Sequence, residues 1–535
     1  MTPETTPDNL SVILPNAAER RGDHEAVVDI GATLTWTEAD DGAGRMAAAL
    51  VTAGVGRGDR VGVHFRKSTD AYLAMHAVVR IGAIAVPLDP TASPAYLAQV
   101  CSLSGCEVVL THDRCAASAH RLGPEAGLRL IIGIDKPDEG AGPAVAYTGA
   151  DAFAGLDPVG PVATTLDDPS YLITTSGSTG TPKSMCHTHG SALGHVDFMR
   201  GTIDFSPDDR FADIAPNHFD ISTPALWIAS TLAATVVVVP EPHQMLPASA
   251  AQLVAEQRVS VWYSVPYLLV QLYNRGNVDA HDLSALRWVL FGGEVFPPGV
   301  LGRLMEKLPR ARFANCYGPA EVNVVTVHHV DEQPNPDEPV PVGRPVPPTR
   351  IRLVDTDDDG VHHPVAEGDQ GEIWVNGPTM MRGYWQRPDL TDPTMVDDAE
   401  GRWYRTGDLG WYRPDGVLMF AGRRDHQVKV RGFRVELESI EATMEDIDGV
   451  EFAVATVARD EGGDDVIVAG VRTTDGTPPD PEGLRAEMGK YLPSYAIPTT
   501  FVTVHSASTT GSGKLDRRAL RSAVADGHAQ GGIHV

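Results

Sequence analysis

Cysteine is scarce, with five residues in a chain of 535. Cys101, Cys106 and Cys115 lie close together, but no histidine or fourth cysteine stands at zinc-finger spacing. This excludes a disulfide scaffold and argues for reduced, mostly buried thiols in a cytoplasmic protein. Long apolar runs are missing too, and none approaches the roughly 20 residues of a membrane span. The start, Met1-Thr-Pro-Glu-Thr-Thr-Pro7, has neither the basic nor the apolar segment of a signal peptide. Positive charge is in deficit: Lys plus Arg number 43 against 71 Asp plus Glu, a net charge of −28. Such an acidic surface disfavours nucleic acid and anionic membranes as partners. A Walker A loop is also absent.

What is present is alternation. Residues 39–53, 71–81 and 93–104 read as helices, and 58–65, 83–88 and 107–111 as strands. The pattern resumes with strands at 235–239, 259–265, 286–291 and 312–316 and helices at 248–257, 267–275 and 299–307. Alternation of this kind predicts mostly parallel sheets covered by helices. Residues 136–168, rich in Gly, Asp, Pro and Ala, read as an exposed connection. After Asp337 the chain turns Pro-rich, then breaks into shorter β-like pieces such as 371–375. A chain of this length exceeds one core, so two or more domains are expected.

One stretch stands out: an apolar, β-prone start at Tyr171 opens into Thr174-Thr-Ser-Gly-Ser-Thr-Gly-Thr-Pro-Lys183. Glycines let the backbone approach an anion; hydroxyls and a lysine add donors and charge. That is phosphate-binding chemistry. In an open α/β sheet, ligands collect where strands end. Asp220, Gly292-Gly-Glu294 and Asn315-Cys-Tyr-Gly-Pro-Ala-Glu321 sit at such ends.

The Thr174–Lys183 run resembles the phosphate loop of the adenylate-forming superfamily, which holds acyl-CoA synthetases, luciferases and the adenylation domains of peptide synthetases. Further motifs follow in that family's order: Asn315–Glu321, Tyr404-Arg-Thr-Gly-Asp-Leu-Gly410, Gly422-Arg-Arg-Asp-His-Gln-Val-Lys-Val-Arg-Gly-Phe-Arg434 and Thr509-Thr-Gly-Ser-Gly-Lys-Leu-Asp516. Ala320 replaces the family's more frequent threonine. The resemblance implies an α/β fold: a large N-terminal domain, residues 1–424, with mixed, mostly parallel helix-covered sheets and a β-rich subdomain, then a small mobile α+β domain, residues 425–535. It implies ATP and Mg2+ as cofactors. Nucleotide contacts would come from Thr174, Thr175, Ser176, Gly177, Ser178, Thr179, Gly180, Lys183, Gly292, Gly293, Glu294, Asn315, Tyr317, Gly318, Asp408 and Arg423. In this reading Tyr317 stacks on adenine, Asp408 accepts the ribose hydroxyls and Glu321 ligates the magnesium. Lys514, Arg423 and Lys183 carry the catalytic charge, Asp425 is the hinge, and Gly432 lines a pantetheine channel.

The implied reaction joins a carboxylate to ATP as acyl-AMP, releasing pyrophosphate, and then passes the acyl group to a thiol or amine. His218-Phe-Asp-Ile-Ser222 resembles the amino-acid-activating branch, where the acid at position 220 pairs with a substrate ammonium. The family's pocket-lining places fall on Asp220, Ile221, Pro224, Ser264, Val289, Phe291, Cys316, Val324, Val325 and Lys514. With no second charge, and Phe291 in a place that would otherwise admit bulk, the pocket is expected to take a small neutral amino acid, L-alanine first. The acceptor is expected to be a carrier protein in trans, through its phosphopantetheine thiol or the amine of an aminoacyl group already on it, because no Leu-Gly-Gly-x-Ser site occurs in this chain. This is similar to free-standing enzymes of macrolactam-type antibiotic pathways. A CoA ligase is the alternative. Arg424, Arg431, Arg434 and Arg517 are expected to form a basic docking patch.

Overall fold

Two large sheets form the first lobe of this computed structural model, which describes residues 7–122, 124–136, 145–149, 151–175, 177, 181–356, 361–366, 368–424, 427–460, 462–504 and 517–529. The first sheet has eight strands. Arg60–His64 runs parallel to Ile84–Pro87 and Val108–Thr111, and Pro169–Thr175 turns back antiparallel onto Lys183–Thr188. The second has nine strands. Its centre is parallel: Thr235–Val238, Arg210–Asp213, Val261–Ser264, Trp288–Gly292 and Arg312–Tyr317.

Helices Trp36–Thr52, Thr69–Arg80 and His189–Thr202 contribute to a core that joins both sheets. Ala71 through Arg80 is buried without a break, as expected of a helix sandwiched between layers rather than laid on a surface. The outer face of each sheet has its own cluster, one around Trp262, Phe291 and Phe313, the other around Leu97, Val109 and Leu172. A third sheet, of six strands, includes Arg350–Thr356, Gly371–Asn376 and Gly401–Tyr412.

The smaller lobe begins with the hairpin Gln427–Val430/Phe433–Glu436. A three-stranded sheet follows, made of Val450–Arg459, Asp465–Thr473 and Thr500–Thr503. One face of that sheet packs on helices Leu437–Glu445 and Pro481–Met488 and on Val430 and Val435 of the hairpin. The opposite face packs on Leu520 and Val524 of helix Arg517–Ala529. The α/β class and the large-plus-small architecture expected from the sequence are what the chain adopts. Among the described residues no helix is long and apolar enough to cross a membrane.

Candidate active site

The phosphate-loop hairpin is set by strand pairing: Thr174 lies opposite Ser184 and Thr175 opposite Lys183. The Thr174 and Ser184 hydroxyls are 2.8 Å apart. At Gly177 a Cβ would sit 2.2 Å from the Thr181 carbonyl, so the turn admits no side chain there. Ser176, Ser178, Thr179 and Gly180 lie outside the described residues, as do Asp425 and Lys514.

The strand Arg312–Tyr317 carries Asn315, Cys316 and Tyr317 to the cleft. Asn315 donates to the Pro341 carbonyl at 2.9 Å. The Tyr317 hydroxyl donates to Asp408 at 2.7 Å, and Arg423 forms an ion pair with the same carboxylate. Asp408 and Arg423 face each other on paired strands. The structure therefore brings the expected adenine, ribose and arginine residues together. At Gly318 a Cβ would be 1.6 Å from the Asn323 carbonyl; at Gly292 it would be 2.3 Å from that of Cys316.

Glu321 is fully buried and remains a carboxylate: Arg434 Nη1 donates to its two oxygens at 2.9 and 2.8 Å, and Tyr384 Oη donates at 2.8 Å. Against the cost of burial, Arg434 and Lys183 hold its pKa well below the usual range. The Lys183 ammonium lies 3.5 Å from Glu436 and over the Tyr384 ring. Glu294 accepts the Gly432 N–H at 2.6 Å and the Tyr267 N–H at 3.2 Å. Gly432 has φ of 90°, and a Cβ there would be 2.6 Å from Val265 Cγ2. The hairpin of the small lobe thus sits in the cleft of the large one.

The same hairpin delivers a residue the sequence reading passed over. Lys429 Nζ is 3.7 Å from the place of a Cβ on Gly293, in the field of Asp408, Asp220 and Glu294. Its only sequence signal is its place in the Gln427–Gly432 run. An aromatic cluster accompanies the insertion: Phe219 packs at 5.2 Å on Phe433, which stacks at 4.4 Å on Tyr495.

Asp220 opens a short turn after Phe219. Among the described residues its carboxylate has no ion pair, and burial pushes its pKa up. Ile221, Pro224 and Tyr263 line a small cavity of about 10 Å³ near this turn. Cys316, Val324 and Val325 are buried in the core shared by the two sheets.

Three expected pocket residues do not face this side. Trp262 Nε1 donates to Ser264 Oγ at 2.7 Å, and Phe291 packs edge-on against Phe296 at 5.0 Å. Val289 and Phe291 join the outer cluster. The pleat is the reason: neighbouring residues on a strand point to opposite faces, so a slip of one residue inverts the assignment. The inward residues are Tyr263, paired with Leu290, and Gly292. Tyr263 Oη is 3.4 Å from a Cβ placed on Gly292 and makes no hydrogen bond among the described residues. Three of the four arginines expected to form a basic patch have acidic partners, and the side chain of Arg517 lies outside the described residues. Arg434 is buried on Glu321, Arg424 is 3.3 Å from Glu372, and Arg431 is 3.4 Å from Asp460.

Residues 14–385 match the AMP-binding enzyme family. The chain belongs to that family. This AMP-binding enzyme is 33% identical over 507 residues to the L-proline--[L-prolyl-carrier protein] ligase of Pseudomonas fluorescens, covering 92% of this chain and 95% of that one. It is 33% identical to phosphinothricin tripeptide synthetase PhsB of Streptomyces viridochromogenes, covering 96% of this chain but only 42% of the relative's length. The amide bond synthetase McbA from Marinactinospora thermotolerans has the same fold, with a TM-score of 0.84 at 24% identity over 96% of this chain and 99% of that one. Adenylate-forming membership and an ATP-dependent ligase class follow for this AMP-binding enzyme.

Proposed function

We propose that this enzyme activates a small neutral amino acid as its aminoacyl-AMP, L-alanine being the first candidate, and transfers it to a carrier protein. The observation that carries the amino-acid reading is Asp220, a half-buried acid that makes no ion pair among the described residues and whose carboxyl is pushed up in pKa by desolvation, against the field of Lys429. A desolvated carboxylate of this kind is stabilised by an arriving ammonium, and a substrate lacking one leaves the charge uncompensated. This speaks against the alternative, a CoA ligase for plain acids. The small-substrate reading is supported by Tyr263, whose hydroxyl reaches to 3.4 Å from the place of a Cβ on Gly292. The proline ligase of Pseudomonas fluorescens, named for its carrier protein, supports the acceptor class.

In this reading Tyr317 and Asp408 hold the adenosine, the Thr174–Lys183 loop and Lys183 hold the phosphates, and Arg423 fixes Asp408. Lys514 bridges the substrate carboxylate and the α-phosphate as charge develops there. Glu321 suits Mg2+: a buried carboxylate kept ionised is the hard oxygen donor that ion takes beside phosphates. Bound there, the metal would neutralise phosphate charge. Arg434 covers both oxygens in the present conformation, so such a role belongs to a state with the hairpin withdrawn. Asp425 is the proposed hinge, near the boundary of the proposed domains 1–424 and 425–535, and Gly432 the proposed lining of the pantetheine path.

ATP–pyrophosphate exchange across the amino acids tests this. Exchange should be strongest with alanine or a neighbour of similar size. Asp220→Asn should lose it by two to three orders of magnitude, the equivalent of about 3–4 kcal/mol. Strongest exchange with a large aromatic or charged amino acid would reject the small-substrate reading.

A further inference from the structure

Asp220 is reached from strand Arg210–Asp213 through the run Ile214 to Phe219. Beyond the acid the chain holds itself: Ser222 Oγ donates to the Phe219 carbonyl and Thr223 Oγ1 to the Asp220 carbonyl, each at 2.7 Å. Before the acid, the tie comes from the other large sheet. The Lys67 ammonium meets Asp213 at 2.5 Å, donates to the Ala215 carbonyl at 2.5 Å and donates to Asn217 Oδ1 at 2.7 Å. An ammonium has three N–H donors, and these three acceptors all lie on the approach to Asp220. Lys67 is itself fixed between strand Arg60–His64 and helix Thr69–Arg80, whose N-cap is Ser68. Its own N–H donates to Glu241 at 2.9 Å, and its side chain is 2% exposed. A second contact follows the same route, with His218 Nε2 3.9 Å from Asp89, which stands just past strand Ile84–Pro87.

A buried ion pair is weak evidence for stability, because desolvation offsets the attraction, and an apolar pair of similar volume would join the two sheets as well. What an apolar pair lacks is donors for the Ala215 carbonyl and for Asn217. On the proposed function, on which this inference rests, Asp220 must stand at a fixed distance from the substrate ammonium. We infer that Lys67 is a positioning residue for amino-acid binding: it clamps the approach to Asp220 against the first sheet, so that the carboxylate is set before the substrate arrives. The clamp acts on the amino acid alone. The proposed nucleotide residues Tyr317 and Asp408 stand on other strands, Arg312–Tyr317 and Gly401–Tyr412. A misplacement of about 1 Å can cost on the order of 100-fold at a site of this kind.

ATP–pyrophosphate exchange, run with the amino acid that the native enzyme exchanges best, tests the clamp. Lys67→Met should raise KM for that amino acid at least tenfold, with KM for ATP and kcat at saturation within threefold of native. This change strands the Asp213 carboxylate, so a second variant combines Lys67→Met with Asp213→Asn, a neutral pair of similar volume. The double variant should melt at a higher temperature than Lys67→Met, yet its amino-acid KM should stay raised. Asn217→Ala leaves the ion pair intact and should raise the same KM about threefold without changing that for ATP. A double variant whose KM returns to the native value along with its stability would overturn the inference, because Lys67 would then only neutralise a buried charge. Equal rises in both KM values, or a native KM in Asn217→Ala, would overturn it too. A native enzyme that exchanges with no amino acid would instead refute the proposed function.

Discussion

At Asp220 a single carboxylate links stability to substrate. Its folded pKa is raised by burial, so the folded state holds a proton more tightly than the unfolded one, and stability falls as pH rises from the ordinary aspartate range through the raised value. Asp220→Asn should therefore raise the melting temperature of the substrate-free enzyme at neutral pH, although it destroys amino-acid-dependent exchange; calorimetry beside the exchange assay checks both. KM for the amino acid should rise as pH falls toward that raised pKa. Tyr263→Ala opens the space above Gly292 and should move preference toward larger side chains by tenfold or more, in line with about 1–3 kcal/mol per methylene, measured as the ratio of kcat/KM values. Asp220, Tyr317, Glu321 and Asp408 were legible in sequence because each sits inside a short motif whose chemistry is local. Tyr263 was not: whether it or Ser264 faces the pocket depends on strand phase, and an all-apolar parallel strand shows no alternation from which to read it.

Elements carry the next level of information. Those helices and strands of the large sheets that were expected from the sequence lie within about three residues of their expected bounds, but Glu25–Asp29, Arg210–Asp213, Thr326–Val330 and helix His189–Thr202 were not foreseen, and Ala146–Thr148 forms a strand inside the stretch read as a connection. The hairpin Gln427–Glu436 was visible only as a motif; its insertion between Val265, Glu294 and Glu321 is tertiary and has no sequence period. Gly432 is the tight point of that insertion. Gly432→Ala meets a left-handed backbone and the Val265 side chain, a penalty of about 1–2 kcal/mol from the backbone alone. The ratio of transfer rate to exchange rate should drop about tenfold, and single-turnover transfer from preformed aminoacyl-AMP checks it. Arg424 and Arg431, two of the four arginines expected in a docking patch, lie beside acids for a related reason: in a chain with excess acid, exposed cations find acidic partners once folded.

Across the whole molecule, the present arrangement has one lobe's hairpin in the other's cleft. Val504 and Leu520, which bracket the segment holding Lys514, pack on the face of the small sheet opposite Val430 and Val435. The roles proposed for the hairpin and for Lys514, which lies outside the described residues, call for a lobe that turns over between half-reactions. Thr91 and Ser494 bring their hydroxyls to 3.5 Å across the lobe boundary. Oxidising a Thr91→Cys, Ser494→Cys pair should abolish ATP–pyrophosphate exchange, and reductant should restore it. Exchange that survives a quantitative cross-link would remove the need for rotation.

The ring cluster of Phe219, Phe433 and Tyr495 gives this molecule a colour of its own. Burial beside Tyr96 and Asp89 of the large lobe keeps the Tyr495 phenol protonated well above its normal range. If the lobe swings away as proposed, that phenol returns to water, where it ionises near pH 10. An ultraviolet titration of the unlabelled enzyme thus registers the swing as one tyrosinate gained.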